Sequence, residues 1–139
     1  MIYITRKENF NAAHRVFLPE LSDEENYDRF GACSNPNWHG HNYTLFVTIK
    51  GKPDKDSGYL FDLKKLSRLI KELVIEKVDH KNLNLEVDFM KGLIPSSENI
   101  AMAVFNLLDP ELRKQGVALH CVKLYETENN YVEYFGEED

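Results

Sequence analysis

Residues 39–49, His39-Gly40-His41-Asn42-Tyr43-Thr44-Leu45-Phe46-Val47-Thr48-Ile49, decide the fold. From Tyr43 onward, apolar side chains alternate with polar ones, and a period of two is typical of a β-strand with one buried face. Phe46 interrupts the alternation, which indicates that the second face is also partly covered. Because His39 and His41 lie two residues apart at the start of this strand, both imidazoles project to the same face.

The segments on either side predict one strand before this one and two helices after it. The first strand begins at Ile2 and runs to about Arg15. Apolar residues at three- and four-residue spacing predict an amphipathic helix over residues 62–74, with Asp62 as its N-cap. A second helix begins at Ser96 or Ser97 and runs to about Leu108, where Asp109-Pro110 favours a break. Residues 18–37 and 79–95 show no such period and are expected to be irregular.

The chain closes with two strand-like runs, residues 117–125 and 131–135, joined by a turn at Glu128-Asn129-Asn130. The order is therefore β-β-α-α-β-β. Two hairpins around a helical pair predict an α+β fold, an antiparallel sheet with two helices on one face. We find no repeat and no linker, so residues 1–139 are expected to form a single domain.

Composition excludes several classes of protein. The formal net charge is −6 without a block of Lys or Arg, which argues against general nucleic-acid or membrane-surface binding. No apolar run approaches the roughly 20 residues of a membrane span, and the polar start is unlike a signal peptide. Two cysteines do not make a disulfide framework, so a cytoplasmic location is expected.

The histidines predict a metal site. If the first two strands pair antiparallel, His14 at the end of the first faces His39 and His41 at the start of the second. Three histidines with an open position are typical of catalytic zinc, although iron, nickel and copper also bind imidazole. Gly40, between His39 and His41, would leave room for the backbone to approach an ion. The plain alternative is that His39 and His41 are two surface histidines.

Four other residues are candidates for chemistry. Cys33, in a loop six residues before His39, can act as a base or nucleophile beside a cation; alternatively it is a fourth metal ligand or an ordinary loop residue. Asp79 and His80 can relay protons in a cleft or simply end a helix. Glu126 lies at a strand end among apolar neighbours and by itself is most simply a solvent-facing residue.

These phrases together closely resemble the 6-pyruvoyltetrahydropterin synthase family, which includes the 6-carboxytetrahydropterin synthases. Cysteine followed by His-Gly-His-Asn-Tyr at this spacing is highly specific, and the resemblance runs nearly from end to end. The matching stretches are residues 10–15, FNAAHR; 33–43, CSNPNWHGHNY; 62–63, DL; 78–84, VDHKNLN; 95–99, PSSEN; and 126–130, ETENN.

The resemblance implies a tunnelling fold (T-fold) and a zinc-dependent lyase that eliminates triphosphate from 7,8-dihydroneopterin triphosphate. It implies zinc ligation by His14, His39 and His41. It also implies that Cys33 is the general base, that Asp79 and His80 relay protons, and that Glu126 grips the pterin and is sometimes counted in the relay. Further pterin contacts are expected from Ser96, Ser97 and Thr127.

The resemblance further implies a homo-hexamer of two stacked trimers with active sites at subunit interfaces, so that Cys33 and Asp79-His80 of one site come from different chains. The length and sequence of the stretch from Cys33 to His39-Gly40-His41 favour 6-pyruvoyltetrahydropterin as the product. The alternative is 6-carboxytetrahydropterin, on the path to 7-deazaguanine nucleosides such as queuosine, with release of acetaldehyde.

Two other classes of function stay open: a pterin-binding module without catalysis, and a structural zinc protein. The residues that contact the triphosphate are also open, with Arg15, Lys81 and Lys91 as candidates.

Overall fold

The computed structural model describes residues 1–137, which form one five-stranded sheet and four α-helices. The strands are β1 (Ile2–His14), β2 (His39–Gly51), β3 (Lys81–Asn82), β4 (Ala118–Thr127) and β5 (Asn130–Tyr134). The helices are α1 (Asp23–Phe30), α2 (Leu63–Ile70), α3 (Glu76–Val78) and α4 (Ser97–Lys114). A π-helical turn, Lys71–Ile75, connects α2 to α3 without a break. Within residues 1–137, no helix is long and apolar enough to span a membrane.

The sheet has the strand order β3-β1-β2-β4-β5 and is antiparallel except at β3. β1 and β2 pair over their full length, from Ile2 opposite Gly51 to His14 opposite His39. The short β3, which the sequence did not predict, pairs parallel with β1 at Ala12 and Ala13 only. Most of the outer edge of β1 is therefore unpaired within this chain, and β5 forms the opposite edge.

The core lies between one face of the sheet and the helices, as the predicted α+β class requires. Alternate residues of β2, from Tyr43 to Ile49, have no exposed surface, and their neighbours on the strand are partly exposed. Helices α2 and α4 cover this face with their apolar stripes, and the main contributors are Leu66, Ile70, Ile100, Val104 and Leu108. The other face of the sheet carries Phe46, whose aromatic contact there is with Tyr125.

Residues 18–37 are not irregular throughout, because they contain helix α1. Ser22 accepts a hydrogen bond from the Glu25 backbone N–H at 3.1 Å, and Glu25 accepts one from the Ser22 backbone N–H at 3.2 Å, which is a capping box. Asn26 is buried and bonds both the N–H and the C=O of Leu18. The helix has no apolar stripe. Its capping box and the buried amide of Asn26 hold it in place instead.

The second predicted helix continues past the expected break. α4 runs to Lys114 with Pro110 inside it. Proline there removes the hydrogen bond to the carbonyl of Asn106. Both Pro110 and Asn106 lie on the exposed face of the helix, so water can satisfy that carbonyl. The buried stripe, which reaches Leu112, keeps the helix on the sheet.

Candidate active site

Three histidines meet where β1 ends and β2 begins. His14 lies directly opposite His39 in the antiparallel ladder, and His41 follows on the same face of β2. One ring nitrogen of each lies within 4.8 Å of one ring nitrogen of each of the others. The ring centroid of His14 lies 4.5 Å from that of His39 and 5.0 Å from that of His41, and the His39 and His41 centroids are 4.9 Å apart. The strand pairing and the convergence are those predicted, and the cluster can hold a metal ion.

Gly40 lies between the two histidines of β2, and the described chain leaves space at its Cα. A Cβ added at Gly40 would lie 3.4 Å from the Ala12 carbonyl oxygen, at the short end of ordinary van der Waals contact. The close approach of His39 and His41 therefore comes from strand alternation.

The burial and hydrogen bonding of the three imidazoles fit a metal cation. His14 is 1% exposed, and its Nδ1–H donates to the Pro95 carbonyl at 2.7 Å, which leaves the lone pair of Nε2 free. His14 Nε2, His39 Nδ1 and His41 Nε2 are buried and have no hydrogen-bond partner in the protein. Buried polar atoms are rarely left unpaired, so three of them in one cluster indicate a missing ligand.

Electrostatics keep two of these rings neutral, which is the state that binds metal. Burial lowers the pKa of His14; the bond to Pro95 opposes this shift, and the His39 ring adds to it. Burial also lowers the pKa of His39, and the neighbouring His41 lowers it further. Neutral nitrogen donors suit zinc and the other divalent metals of the first transition row.

Glu126, at the end of β4, connects this cluster to the N-terminus of α4. Its Oε1 lies 3.4 Å from His41 Nε2, and its Oε2 accepts a hydrogen bond of 2.6 Å from the Ser97 hydroxyl. The carboxylate side chain is 24% exposed. It is therefore not a solvent-facing strand end but an oriented acceptor beside the histidines.

Cys33 and Glu126 both line a cleft of about 530 Å³. Cys33 belongs to a 3₁₀ turn, Gly31–Ser34, whose position is fixed by a hydrogen bond of 2.9 Å from the Val16 N–H to the Cys33 carbonyl. The thiol-bearing residue is exposed to the cleft. The structure thus brings together four of the predicted residues as cleft lining: Cys33, Ser96, Ser97 and Glu126.

Ser96 and Ser97 differ in what their hydroxyls do. Ser96 is the N-cap of α4 and accepts a hydrogen bond from the Asn99 N–H at 3.2 Å. Ser97, one residue later, donates to Glu126. One hydroxyl is therefore engaged with the helix and the other with the site.

Asp79 and His80 are not among the residues that line this cleft. Asp79 Oδ1 accepts a hydrogen bond of 2.9 Å from the Asn11 N–H, and this bond lowers the pKa of the Asp79 carboxyl. His80 Nδ1 lies 3.1 Å from the same oxygen, so the adjacent pair does make contact, contrary to the usual expectation for neighbours in sequence. The His80 backbone has φ of 61°, and its ring is 79% exposed.

Thr127 faces away from the cleft as well. It lines a separate groove with Lys7, Asn42 and Thr44, and its hydroxyl accepts hydrogen bonds from the next turn, at 3.3 Å from the Asn129 N–H. Within one chain, the structure does not bring Thr127 to Cys33.

The three proposed triphosphate contacts lie elsewhere too. Arg15 is 11% exposed and donates to the Ser34 carbonyl and to Asp23, so its guanidinium is already paired. Lys81 lines a groove below the sheet edge, and Lys91 is not part of the cleft lining.

Sequence reasoning missed several residues of the cleft, which come from α1 and β5. They are Arg29, Phe30, Asn130, Tyr131 and Val132. A capping-box signal, Ser22 followed by Glu25, was present in the sequence and would have placed Arg29 on a helix leading to Cys33.

The model of one family, described as 6-pyruvoyl tetrahydropterin synthase, matches residues 3–137. The chain belongs to this family. It is 42% identical over 134 residues to the 6-pyruvoyl tetrahydrobiopterin synthase of Pongo abelii, an alignment that covers 96% of this chain and 91% of that protein. Identity to the Homo sapiens protein of the same name is 41%, with the same coverage. The 6-carboxy-5,6,7,8-tetrahydropterin synthase of Rickettsia typhi is more distant, at 28% identity over 149 residues, covering 96% of this chain and 99% of that protein.

The fold agrees with solved members of the family. The structure of the Caenorhabditis elegans 6-pyruvoyl tetrahydropterin synthase superposes with a TM-score of 0.89 at 39% identity, over 98% of this chain and 96% of that one. The five-stranded sheet with its helices is therefore the arrangement of this family of pterin synthases.

Proposed function

We propose that the protein is a zinc-dependent lyase that converts 7,8-dihydroneopterin triphosphate to 6-pyruvoyltetrahydropterin and releases triphosphate. The observation that carries the proposal is the cluster of three unpartnered imidazole nitrogens beside a carboxylate, in a chain 41–42% identical to 6-pyruvoyl tetrahydrobiopterin synthases. The 6-carboxy synthase of Rickettsia typhi is less similar, at 28% identity, which favours the pyruvoyl product.

His14, His39 and His41 would hold the zinc ion. Three neutral nitrogen ligands leave a coordination position open, as in catalytic zinc sites, and the Pro95 carbonyl fixes the tautomer of His14. When bound, zinc supplies Lewis-acid polarisation of the hydroxyl oxygens on the substrate side chain.

Glu126 binds the pterin in this proposal. A carboxylate accepts two N–H bonds from the aminopyrimidinone edge in a charge-assisted, bidentate contact. Because Ser97 donates to Oε2, the carboxylate plane is fixed before the substrate arrives. Ser96 also lines the cleft, but its hydroxyl caps α4, so its proposed part is to hold the helix end that carries Ser97.

Cys33 acts as the base. Its exposure and its place among the residues that line the cleft support this role, in which the thiolate removes a carbon-bound proton from the pterin side chain. The electrons released expel triphosphate.

Asp79 and His80 return protons during the tautomerisation that follows, from a neighbouring subunit. Their position outside the Cys33 cleft and their exposure are compatible with a role at a subunit contact. The unpaired outer edges of β1 and β5 suit strand pairing between chains, and we propose a hexamer of two trimers. Thr127, outside the cleft of its own chain, is proposed to contact the pterin in that assembly.

The test is turnover of 7,8-dihydroneopterin triphosphate by zinc-loaded protein, with release of triphosphate and the pterin product measured together. We expect 6-pyruvoyltetrahydropterin, no acetaldehyde, and no turnover after chelation. Acetaldehyde with a 6-carboxy product would replace the proposal by the carboxy reaction. Tight pterin binding with no release of triphosphate would contradict both and indicate a binding module.

A further inference from the structure

The described lining of the Cys33 cleft includes a single Lys or Arg side chain. Of the cleft-lining residues within 1–137, Arg29 is the one Lys or Arg, and it stands in a protein with a net charge of −6. The same lining includes two carboxylates, Glu98 and Glu126. The cleft therefore combines one basic residue from α1 with acidic residues from α4 and β4.

Arg29 is free to bind an anion. It lies in the last turn of α1, is exposed, and forms no ion pair with a carboxylate of residues 1–137. The Phe30 ring, whose centroid is 5.6 Å from the guanidinium carbon, supports it from one side. Arg15, in contrast, is already paired with Asp23 and the Ser34 carbonyl.

We propose that Arg29 binds the triphosphate of the substrate and so selects the phosphorylated pterin over the free one. The inference rests on the proposed function, because it takes its substrate from there. The N–H donors at the edge of the pterin ring match the Glu126 carboxylate, which Ser97 orients. Glu98 lines the same cleft and repels a polyanion from its surroundings. The anion is therefore directed to the guanidinium, which offers a forked set of donors to phosphate oxygens.

The experiment compares R29Q with R68Q. Both remove one positive charge from an exposed arginine that has no carboxylate partner in the described chain, but Arg68 lies on α2, away from the cleft. The readouts are KM and kcat for 7,8-dihydroneopterin triphosphate, the inhibition constant of inorganic triphosphate, and the dissociation constant of unphosphorylated 7,8-dihydroneopterin.

For R29Q we expect KM and the inhibition constant of inorganic triphosphate to rise about tenfold, as for loss of a charge-assisted contact, with kcat nearly unchanged. The dissociation constant of unphosphorylated dihydroneopterin should stay within about twofold. The KM and inhibition constant of R29K should lie between those of the wild type and R29Q, since lysine keeps the positive charge but lacks the forked donors of the guanidinium. R68Q should match the wild type in every readout.

The inference would be overturned if R29Q lost affinity equally for the phosphorylated and unphosphorylated ligands. It would also be overturned if R29Q and R68Q gave the same values in every readout. If the wild type does not turn over the substrate at all, the proposed function fails while the Arg29 site is still tested. Binding of inorganic triphosphate by calorimetry then decides it: a loss specific to R29Q supports an anion site, and equal binding by wild type and variant overturns it.

Discussion

Replacing Ser97 with alanine should weaken substrate binding without weakening the fold. The Ser97 hydroxyl donates to Glu126 Oε2 at 2.6 Å, a short distance typical of hydrogen bonds to an ionised acceptor. Such bonds contribute about 1.5–3 kcal/mol. Because the Glu126 side chain is 24% exposed, water replaces part of the lost bond, and we take about 1 kcal/mol as the net effect.

A loss of about 1 kcal/mol is roughly fivefold in an equilibrium constant. Since Glu126 is proposed to hold the ring in both the ground state and the transition state, the loss should appear in KM, with kcat changed less than about twofold. The assay is steady-state release of triphosphate, combined with urea unfolding of the same preparations.

Ser96→Ala is the matched control, one residue away. The Ser96 hydroxyl caps α4 through the Asn99 N–H, and the loss of a serine N-cap costs about 1 kcal/mol of unfolding free energy. We expect Ser96→Ala to lower the unfolding free energy by that amount, and Ser97→Ala to lower it by less than half as much. If Ser97→Ala leaves KM unchanged, or if both variants lose equal stability, the division of roles between the two serines is wrong.

Three further outcomes are expected. Cys33→Ala should reduce kcat by at least about 100-fold with unfolding free energy unchanged, because the proposed base is an exposed residue of a turn; near-normal turnover would remove the thiol from the mechanism. Removing metal with a chelator should abolish turnover and leave the far-UV circular dichroism unchanged, because the sheet and helices bury a continuous hydrophobic core that needs no metal; unfolding would instead indicate structural zinc. The lowered pKa of Asp79 means that its ionised form stabilises the folded state above the ordinary value of 3.8, and that this contribution is lost as pH falls below it. The wild type should therefore be more stable than Asp79→Asn at about pH 5, and the difference should shrink by about pH 3 in urea unfolding; a constant difference would contradict the assignment.

The sheet and the histidine cluster could be predicted because their signals are local. Alternation along residues 43–49 defines the buried face of β2, and the two-residue spacing of His39 and His41 places both on one side. Adding His14 required only that β1 and β2 pair antiparallel, which consecutive strands commonly do.

Other parts could not be predicted because they depend on tertiary contacts. Helix α1 has no apolar stripe, so period analysis reads it as a loop, and Asn26 acquires its role only when Leu18 is beside it. Pro110 is compatible with α4 because that face meets water, which the sequence alone does not reveal. The cleft joins α1, α4 and the closing hairpin, so residue spacing could not show that Arg29 and Glu126 line the same cleft.

The ladder between β1 and β2 has a consequence for how this chain can change during evolution. One residue inserted inside residues 10–14 or 39–43 would turn part of the ligand set to the opposite side of the sheet, because side chains alternate. A residue inserted in the connection over residues 15–38 would not change the face of the sheet on which the three histidines lie. Length variation among descendants of this sequence should therefore accumulate in the connection, and the spacing within each strand should stay fixed.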